Sequence, residues 1–257
     1  PYHEAPAWWA RTNAAGRTIS PSPPHASPGL RDDAPMTDPD RETIPIFPLS
    51  NVVLFPMISV PLYIFEPRYR QMMDDALAGG RRIGMVAVRP EHEDAMAGDP
   101  PVFTVGCEGS ISHAEQRPDG TWNLLLSATR RFRIIEEPPR PAERLYRMAV
   151  VEGMDEPAGQ PAALQAARRE IRARLDELLR RVAGPDTAPP PLDRLDALDD
   201  VPFVNVLAQA IDFGVLEKQQ LLESAGHLAR ATTMRDLLDF RLAEIGAEAA
   251  PGAGRLH

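Results

Sequence analysis

An acid, a base and a phenol stand together at Glu66-Pro67-Arg68-Tyr69. A carboxylate beside a guanidinium and a phenol could move protons or hold a polar ligand, but the same four residues also make a helix start. Glu66 can cap the helix and interact with its positive end, Pro67 suits the first position, and Tyr69 packs inward. Glu91-His92-Glu93-Asp94 offers oxygen and nitrogen ligands. A zinc site needs three or four ligands fixed by the scaffold, whereas this run falls in a loop rich in Asp, Gly and Pro, and His3, His25, His113, His227 and His257 are scattered. Cys107 has no histidine near it in sequence and reads as a packed thiol rather than a nucleophile. Arg130, Arg131 and Arg133 form a basic cluster. Strand residues alternate faces, so Arg131 and Arg133 point one way and Phe132 and Ile134 the other. A phosphate or RNA contact is conceivable there, but Glu136 and Glu137 can neutralise the face, and the cluster reads as a solvated strand edge. No catalytic constellation, metal site or cofactor is expected, and the chain is not read as an enzyme.

Composition narrows the classes further. Of 28 basic residues only Lys218 is a lysine, and it sits in Glu217-Lys218-Gln219-Gln220. A phosphate-binding P-loop needs Gly-Lys followed by Ser or Thr, and a Ser-Lys dyad needs a desolvated lysine beside a serine. Lys218 fits neither and reads as a solvated helix residue. The net charge of −9 weighs against nucleic acid, whose phosphates are bound by many Lys and Arg contacts. One cysteine permits no internal disulfide and suits a reducing compartment, with the cytoplasm as the default. No run approaches the ~20 apolar residues of a membrane span, so no membrane partner is expected.

The elements that must position these residues fall into zones. Residues 1–35 hold seven prolines and no apolar periodicity, and read as a disordered leader or a mis-called extension, with Met36 the natural start. A β-rich lobe is expected over 36–156, with strands at Val52 to Phe55, Val60 to Phe65, Ile83 to Val88, Val102 to Cys107, Trp122 to Leu126, Arg131 to Glu136 and Met148 to Val151. Asp119-Gly120 marks a hairpin turn between segments 108–116 and 121–127. One helix interrupts the strands, starting at Pro67 and ending at Gly79-Gly80. A helical lobe is expected over 157–246. Leu164, Ala167, Ile171, Leu175, Leu178 and Val182 recur at three- and four-residue steps, which predicts an amphipathic helix from Pro161 to Ala183. After a proline-rich loop, Pro202 opens a helix through Ile211 capped by Asp200, and two more helices fit Leu216 to Ser224 and His227 to Ile245. Residues 247–257 read as a flexible tail.

Three blocks then carry a family resemblance. They are Ile44-Pro45-Ile46-Phe47-Pro48-Leu49 with Val53-Leu54-Phe55-Pro56 and Ile64-Phe65-Glu66-Pro67-Arg68-Tyr69; Phe103 to Cys107 with Asn123 to Leu126 and Arg131 to Ile134; and Glu217 to Glu223 with Arg230. In this order, from about Ile44 to Leu242, the sequence closely resembles the N-terminal substrate-binding domain of Lon proteases. The resemblance implies an α+β fold, namely a PUA-like, mostly antiparallel pseudo-barrel with one packed helix, followed by a C-terminal helical bundle. It implies a non-catalytic module that recognises unfolded or tagged polypeptides, as a monomer or dimer, without the family's ATPase and protease domains. Phe47, Phe55, Ile58, Tyr63 and Phe65, with the edge strands they sit on, are the candidate polypeptide-binding residues. A regulatory module docking on a protease or ATPase subunit, helped by the amphipathic face of 164–182, is the alternative reading, as is a small-ligand or RNA binder. Met57 and Ala128 stand where the family usually has glycine, so the turn after Pro56 and the bend before Arg131 are expected to differ here.

Overall fold

The computed structural model describes residues 41–157, 160–184 and 190–248. The expected leader, 1–35, and nearly all of the expected tail lie outside these residues. Among the described residues there are six strands: β1 (Arg41–Leu49), β2 (Ser59–Ile64), β3 (Arg82–Ala87), β4 (Val105–Gln116), β5 (Trp122–Glu136) and β6 (Arg147–Gly153). Their order is β2-β5-β4-β3-β1-β6, and β6 pairs again with β5, which closes five of the strands into a barrel. All pairings are antiparallel except β1 with β3, which are joined by a crossover carrying β2 and helix α1 (Pro67–Ala78). The α+β pseudo-barrel expected from the sequence is therefore present.

Barrel closure depends on β5. Its first half pairs with β2, from Ser59↔Ser127 to Ile64↔Trp122, and its second half pairs with β6, from Phe132↔Gly153 onward. Between the halves the register against β4 shifts at Thr129, whose Oγ1 donates to the Glu108 carbonyl at 3.0 Å. A bulge of this kind bends and twists a strand, so Trp122–Leu126 and Arg131–Glu136, expected as two strands, are one. Val102 to Cys107 is also revised, because β4 begins at Val105 and Val102 makes only an isolated bridge to Val88. Val52 to Phe55 is not a strand. Its apolar run is buried because it threads between two cores rather than because it alternates across a sheet. The Asp119-Gly120 turn forms as read, with Gly120 at φ +77° and the Asp119 carboxylate accepting from the Thr121 amide and hydroxyl.

The helical lobe contains α2 (Pro161–Ala183), the one-turn α3 (Asp193–Asp196), α4 (Asp200–Ala210), α5 (Val215–Glu223) and α6 (His227–Glu248). Helix α2 has the predicted bounds. Helix α4 starts two residues before Pro202 with Asp199 at its N-cap, so Asp200 is not the cap, and its carboxylate instead accepts from Arg168 at 3.1 Å. Lys218 is half-buried rather than solvated, and its ammonium donates to the Gln209 carbonyl at the end of α4.

Three cores organise the described residues. Ile44, Ile46, Val86, Phe132, Ala149 and Val151 fill the barrel. The Phe132 ring lies across Gly106, where a Cβ would come within 2.6 Å of it. A second core packs α1, through Tyr69, Met72, Met73 and Ala76, against Phe47, Leu54, Ile64 and Leu126. The third joins the lobes: Val53, Phe55, Ala87 and Val105 from the β side meet Leu164, Ile171, Phe203, Leu221, Met234 and Leu238 from the helices.

Polar groups fix this junction. Arg131 of β5 is 2% exposed and Arg230 of α6 is 1% exposed, and both face Glu156 in the connection between β6 and α2. Arg131 Nη1 donates to the carbonyls of Leu222 and Ser224 at 2.7 and 2.6 Å. Arg230 donates to the Leu221 carbonyl, to Asn205 Oδ1 and to Glu156 Oε1 at 3.2, 3.0 and 2.9 Å. Asn205 and Gln219 then donate to the carbonyls of Pro56 and Val105, both at 3.0 Å. Arg131 is thus not on a solvated strand edge; only Arg133 of that pair is exposed. Burial, and then the neighbouring Arg230, pull the Arg131 guanidinium below its ordinary value. Removing the one carboxylate leaves two buried cations uncompensated, so Glu156→Ala is expected to cost about 3–5 kcal/mol, measured as a lowered urea midpoint in equilibrium unfolding of the full chain.

Candidate functional site

The five candidate binding residues do not share one surface. Phe47 and Phe55 are core: Phe47 meets Tyr69 edge-on with ring centroids 4.5 Å apart, and Phe55 lies in the core between the lobes. Both are corrected from binding residues to packing residues, because Phe47 is covered by α1 and Phe55 by the helical lobe, which leaves neither ring a route to solvent. Ile58 is partly buried against both neighbouring cores. Tyr63 and Phe65 are 49% and 60% exposed, with ring centroids 5.9 Å apart.

These two aromatics belong to a longer stripe. Along β2, Val60, Leu62 and Ile64 turn toward the core around α1, while Ser59, Pro61 and Tyr63 are exposed. Met57 precedes the strand at 61% exposure and Phe65 follows it. Exposed residues therefore recur at 59, 61 and 63 along the strand, with Met57 in the turn before it and Phe65 just after it. Among the described residues β2 is paired on one side only, with β5. Pro61 suits such an edge, because a missing N–H costs nothing on the side that has no partner strand. Arg117 from the β4–β5 hairpin stands 5.8 Å from the centre of the Tyr63 ring, so one end of the stripe is cationic as well as aromatic. On the outer surface behind it, the hydroxyls of Ser59, Ser127 and Ser112 form a chain with spacings of 3.0 and 3.1 Å.

Met57 is the residue that sequence reasoning missed as a candidate. Its φ is +67°, in the left-handed region that favours glycine, although the side chain is not glycine. The two departures at Met57 and Ala128 lie side by side: the Met57 amide donates to the Ala128 carbonyl at 3.0 Å, and the Ala128 amide donates to the Ile58 carbonyl at 2.8 Å. The signal was present in the sequence as a large apolar residue at a position of glycine-like geometry.

The other chemistry-bearing residues have structural partners. The Glu66 carboxylate does not cap α1; it accepts from Arg68 Nε at 2.9 Å, while Arg68 Nη1 and Nη2 hold the carbonyls of Gly98 and Met96. Tyr69 is buried and its phenol is pushed up to about 12, chiefly by desolvation. Arg130 and Arg82 pair with Glu42 and the buried Glu108 across the sheet. Glu137 is engaged by Arg147 rather than by the cluster at 130–133. Burial pushes the Cys107 thiol far up, so it is not poised as a nucleophile. Glu91 to Asp94 lie in a 3₁₀ turn, and among the described residues no three His, Cys, Asp or Glu side chains are gathered to hold a metal ion. No helix among them is long and apolar enough to cross a membrane. Leu164, Ala167, Ile171 and Leu175 of α2 are buried within the molecule and Leu178 partly so, while Val182 at the end of that face is exposed.

The family described as the ATP-dependent protease La (LON) substrate-binding domain matches residues 43–239. The chain belongs to this family. It is 30% identical to Lon protease 2 of Thermus thermophilus over 79% of its own length and 25% of that protein's. To Lon protease 1 of Syntrophobacter fumaroxidans it is 27% identical, over 71% of its length and 22% of that protein's. The LON domain chain thus spans about a quarter of the length of these relatives. Among solved structures, the N-terminal domain of the Mycobacterium avium complex Lon protease covers 77% of this chain with 98% of its own, at 16% identity and a TM-score of 0.57, a likeness of fold.

The Met57 turn yields a direct test. A non-glycine residue in the left-handed region costs ~1–2 kcal/mol, offset in part by the ~0.5–1 kcal/mol of extra freedom an unfolded glycine gains. Met57→Gly is therefore expected to stabilise the LON domain by about 0.5–1 kcal/mol, read as a raised urea midpoint at unchanged slope.

Proposed function

We propose that this protein is a non-catalytic recognition module of the cytoplasm that captures unfolded or tagged polypeptides on the stripe formed by Met57, Tyr63 and Phe65 with the open edge of β2. The observation that carries the reading is the exposure of three large apolar side chains along a strand with a free edge. Monomeric proteins seldom leave such a line uncovered without a use for it. An extended client would add as a strand, its backbone bonding to the edge and its apolar side chains meeting the stripe. Ile58 supports the turn from beneath, and the two lobes, 36–156 and 157–246, act as one unit. Burial of Arg131 takes away the centre of the basic cluster that an RNA-binding reading needs. The inward packing of Leu164, Ala167, Ile171 and Leu175 leaves only the end of α2, at Val182, of the amphipathic face that docking on a protease or ATPase subunit would use.

The test is a titration of the full chain against a fluorescent, permanently unfolded polypeptide, with a folded protein of similar size and charge as control. Selective micromolar binding to the unfolded chain is expected. Burying an aromatic side chain is worth ~1.5–3 kcal/mol, so Tyr63→Ser combined with Phe65→Ser should weaken binding at least tenfold. Because both residues are exposed, unfolding stability should move by no more than about 0.5 kcal/mol per site. Equal affinity of the double variant, or equal binding of the folded control, would sink the proposal.

A further inference from the structure

His227, the first residue of α6, sits against the polar junction between the lobes, and no role in polypeptide recognition accounts for it. Its Nδ1 lies 3.4 Å from Glu156 Oε2. The groups that face it are Glu156 from the connection after β6, Arg131 from β5 and Arg230 from α6 itself. Helix α5 and the residue after it contribute the carbonyls of Leu222 and Ser224, which Arg131 holds, and Glu223 of α5 is engaged by Gln219. Counting charges, two arginines and one carboxylate leave the cluster at +1 while the imidazole is neutral, and a second proton on the ring makes it +2. The ring also stands at the N-terminus of a helix, whose dipole opposes a cation. Glu156 Oε2 and His227 Nδ1 are buried without a well-directed hydrogen bond, and they face each other at 3.4 Å.

We propose that His227 makes the junction between the lobes an acid-sensitive latch, closed while the imidazole is neutral and loosened when it takes up a proton. The effect reaches the start of the exposed stripe by a continuous route. Arg230 donates to Asn205, Asn205 donates to the Pro56 carbonyl, and the next residue is Met57 in its left-handed turn. The latch itself does not depend on what the stripe binds.

The sign follows from linkage. Burial holds the folded imidazole below its ordinary value, with the two arginines adding to the effect and Glu156 opposing it. The stabilising contribution is therefore complete above the unfolded value of about 6.5 and is lost as the pH falls from there toward the depressed folded value. In that window the equilibrium for opening should rise with falling pH, by at most about tenfold per pH unit.

The experiment uses the full chain with the His227→Asn variant, whose amide keeps a donor toward Glu156 but does not titrate. Urea unfolding is measured from pH 7.5 to 5.5, and NMR follows the His227 ring and the Met57 amide in the wild type. Expected are a falling urea midpoint in the wild type, a flatter profile in the variant, a His227 midpoint below 6.5, and a Met57 amide shift with that same midpoint. The proposal is overturned by parallel pH profiles, by a ring midpoint at or above 6.5, or by a Met57 amide that stays still while the ring titrates. If the variant does not fold, the two NMR midpoints in the wild type decide the matter alone.

Discussion

Glu156 is one carboxylate between two guanidinium groups that have almost no access to water. Charges buried in this way usually do not add net stability, since desolvation offsets most of what the pairing returns. Their effect here is geometric. Arg131 reads the carbonyl end of α5, Arg230 reads Leu221 and Asn205, and Gln219 reads Val105 of β4. Each of these bonds has one partner position. An apolar interface of the same area would let the helical lobe slide on the barrel by a fraction of a turn, whereas this one fixes its place. The fold of the helices is local, but their register on the barrel is set at this junction.

The same junction explains why the Arg131 region was misread. Alternation along the strand correctly separates Arg131 from Phe132, but it says only that Arg131 leaves the barrel interior. Nothing within the strand states that a second lobe covers that outer face. Glu156, Asn205 and Arg230 are 25, 74 and 99 residues away in sequence, and no local pattern links them. Helix α2 was legible to its end residues because its periodicity, its proline start and its glycine stop are all local. Val52 to Phe55 shows the limit of the apolar-run signal: a run buried on all sides looks the same whether it is a strand or a crossing segment between cores. The candidate site was legible in part for a related reason. Alternation in β2 separates an inner set, Val60, Leu62 and Ile64, from an outer set, but it does not say which strand is at the edge. That depends on pairing partners as far away as β5.

Met57 ties fold and site together. A protein of this family could place glycine at this turn with no backbone strain, and this chain places a large apolar residue there at positive φ. Sites where local preference is broken are places where function or compensation is to be sought. The compensation is visible in two backbone bonds with Ala128 of β5, one from the Met57 amide and one to the Ile58 carbonyl, which hold the turn. The gain is an exposed thioether, flexible and polarizable, at one end of a stripe whose other end is rigid and aromatic. A flexible apolar contact adapts to many sequences, while rigid rings supply area at low entropic cost. The proposed capture of diverse unfolded segments would draw on both.

The stripe is not an isolated feature of the β lobe. Its first residue follows Pro56, whose carbonyl is held by Asn205 of the helical lobe, and Asn205 in turn is held by Arg230. The backbone that presents Met57 is therefore fixed on one side by β5 and on the other by a helix that belongs to the second lobe. If the helices served only to complete a hydrophobic core, contacts through Leu164, Ile171 and Phe203 would suffice, and no buried amide would need to reach the Pro56 carbonyl. The polar reach from α4 to the turn has a cost in desolvation that the apolar core does not require. It is accounted for if the orientation of the turn, rather than its stability alone, is what the second lobe maintains. On that argument the β lobe supplies the surface and the helical lobe sets its geometry.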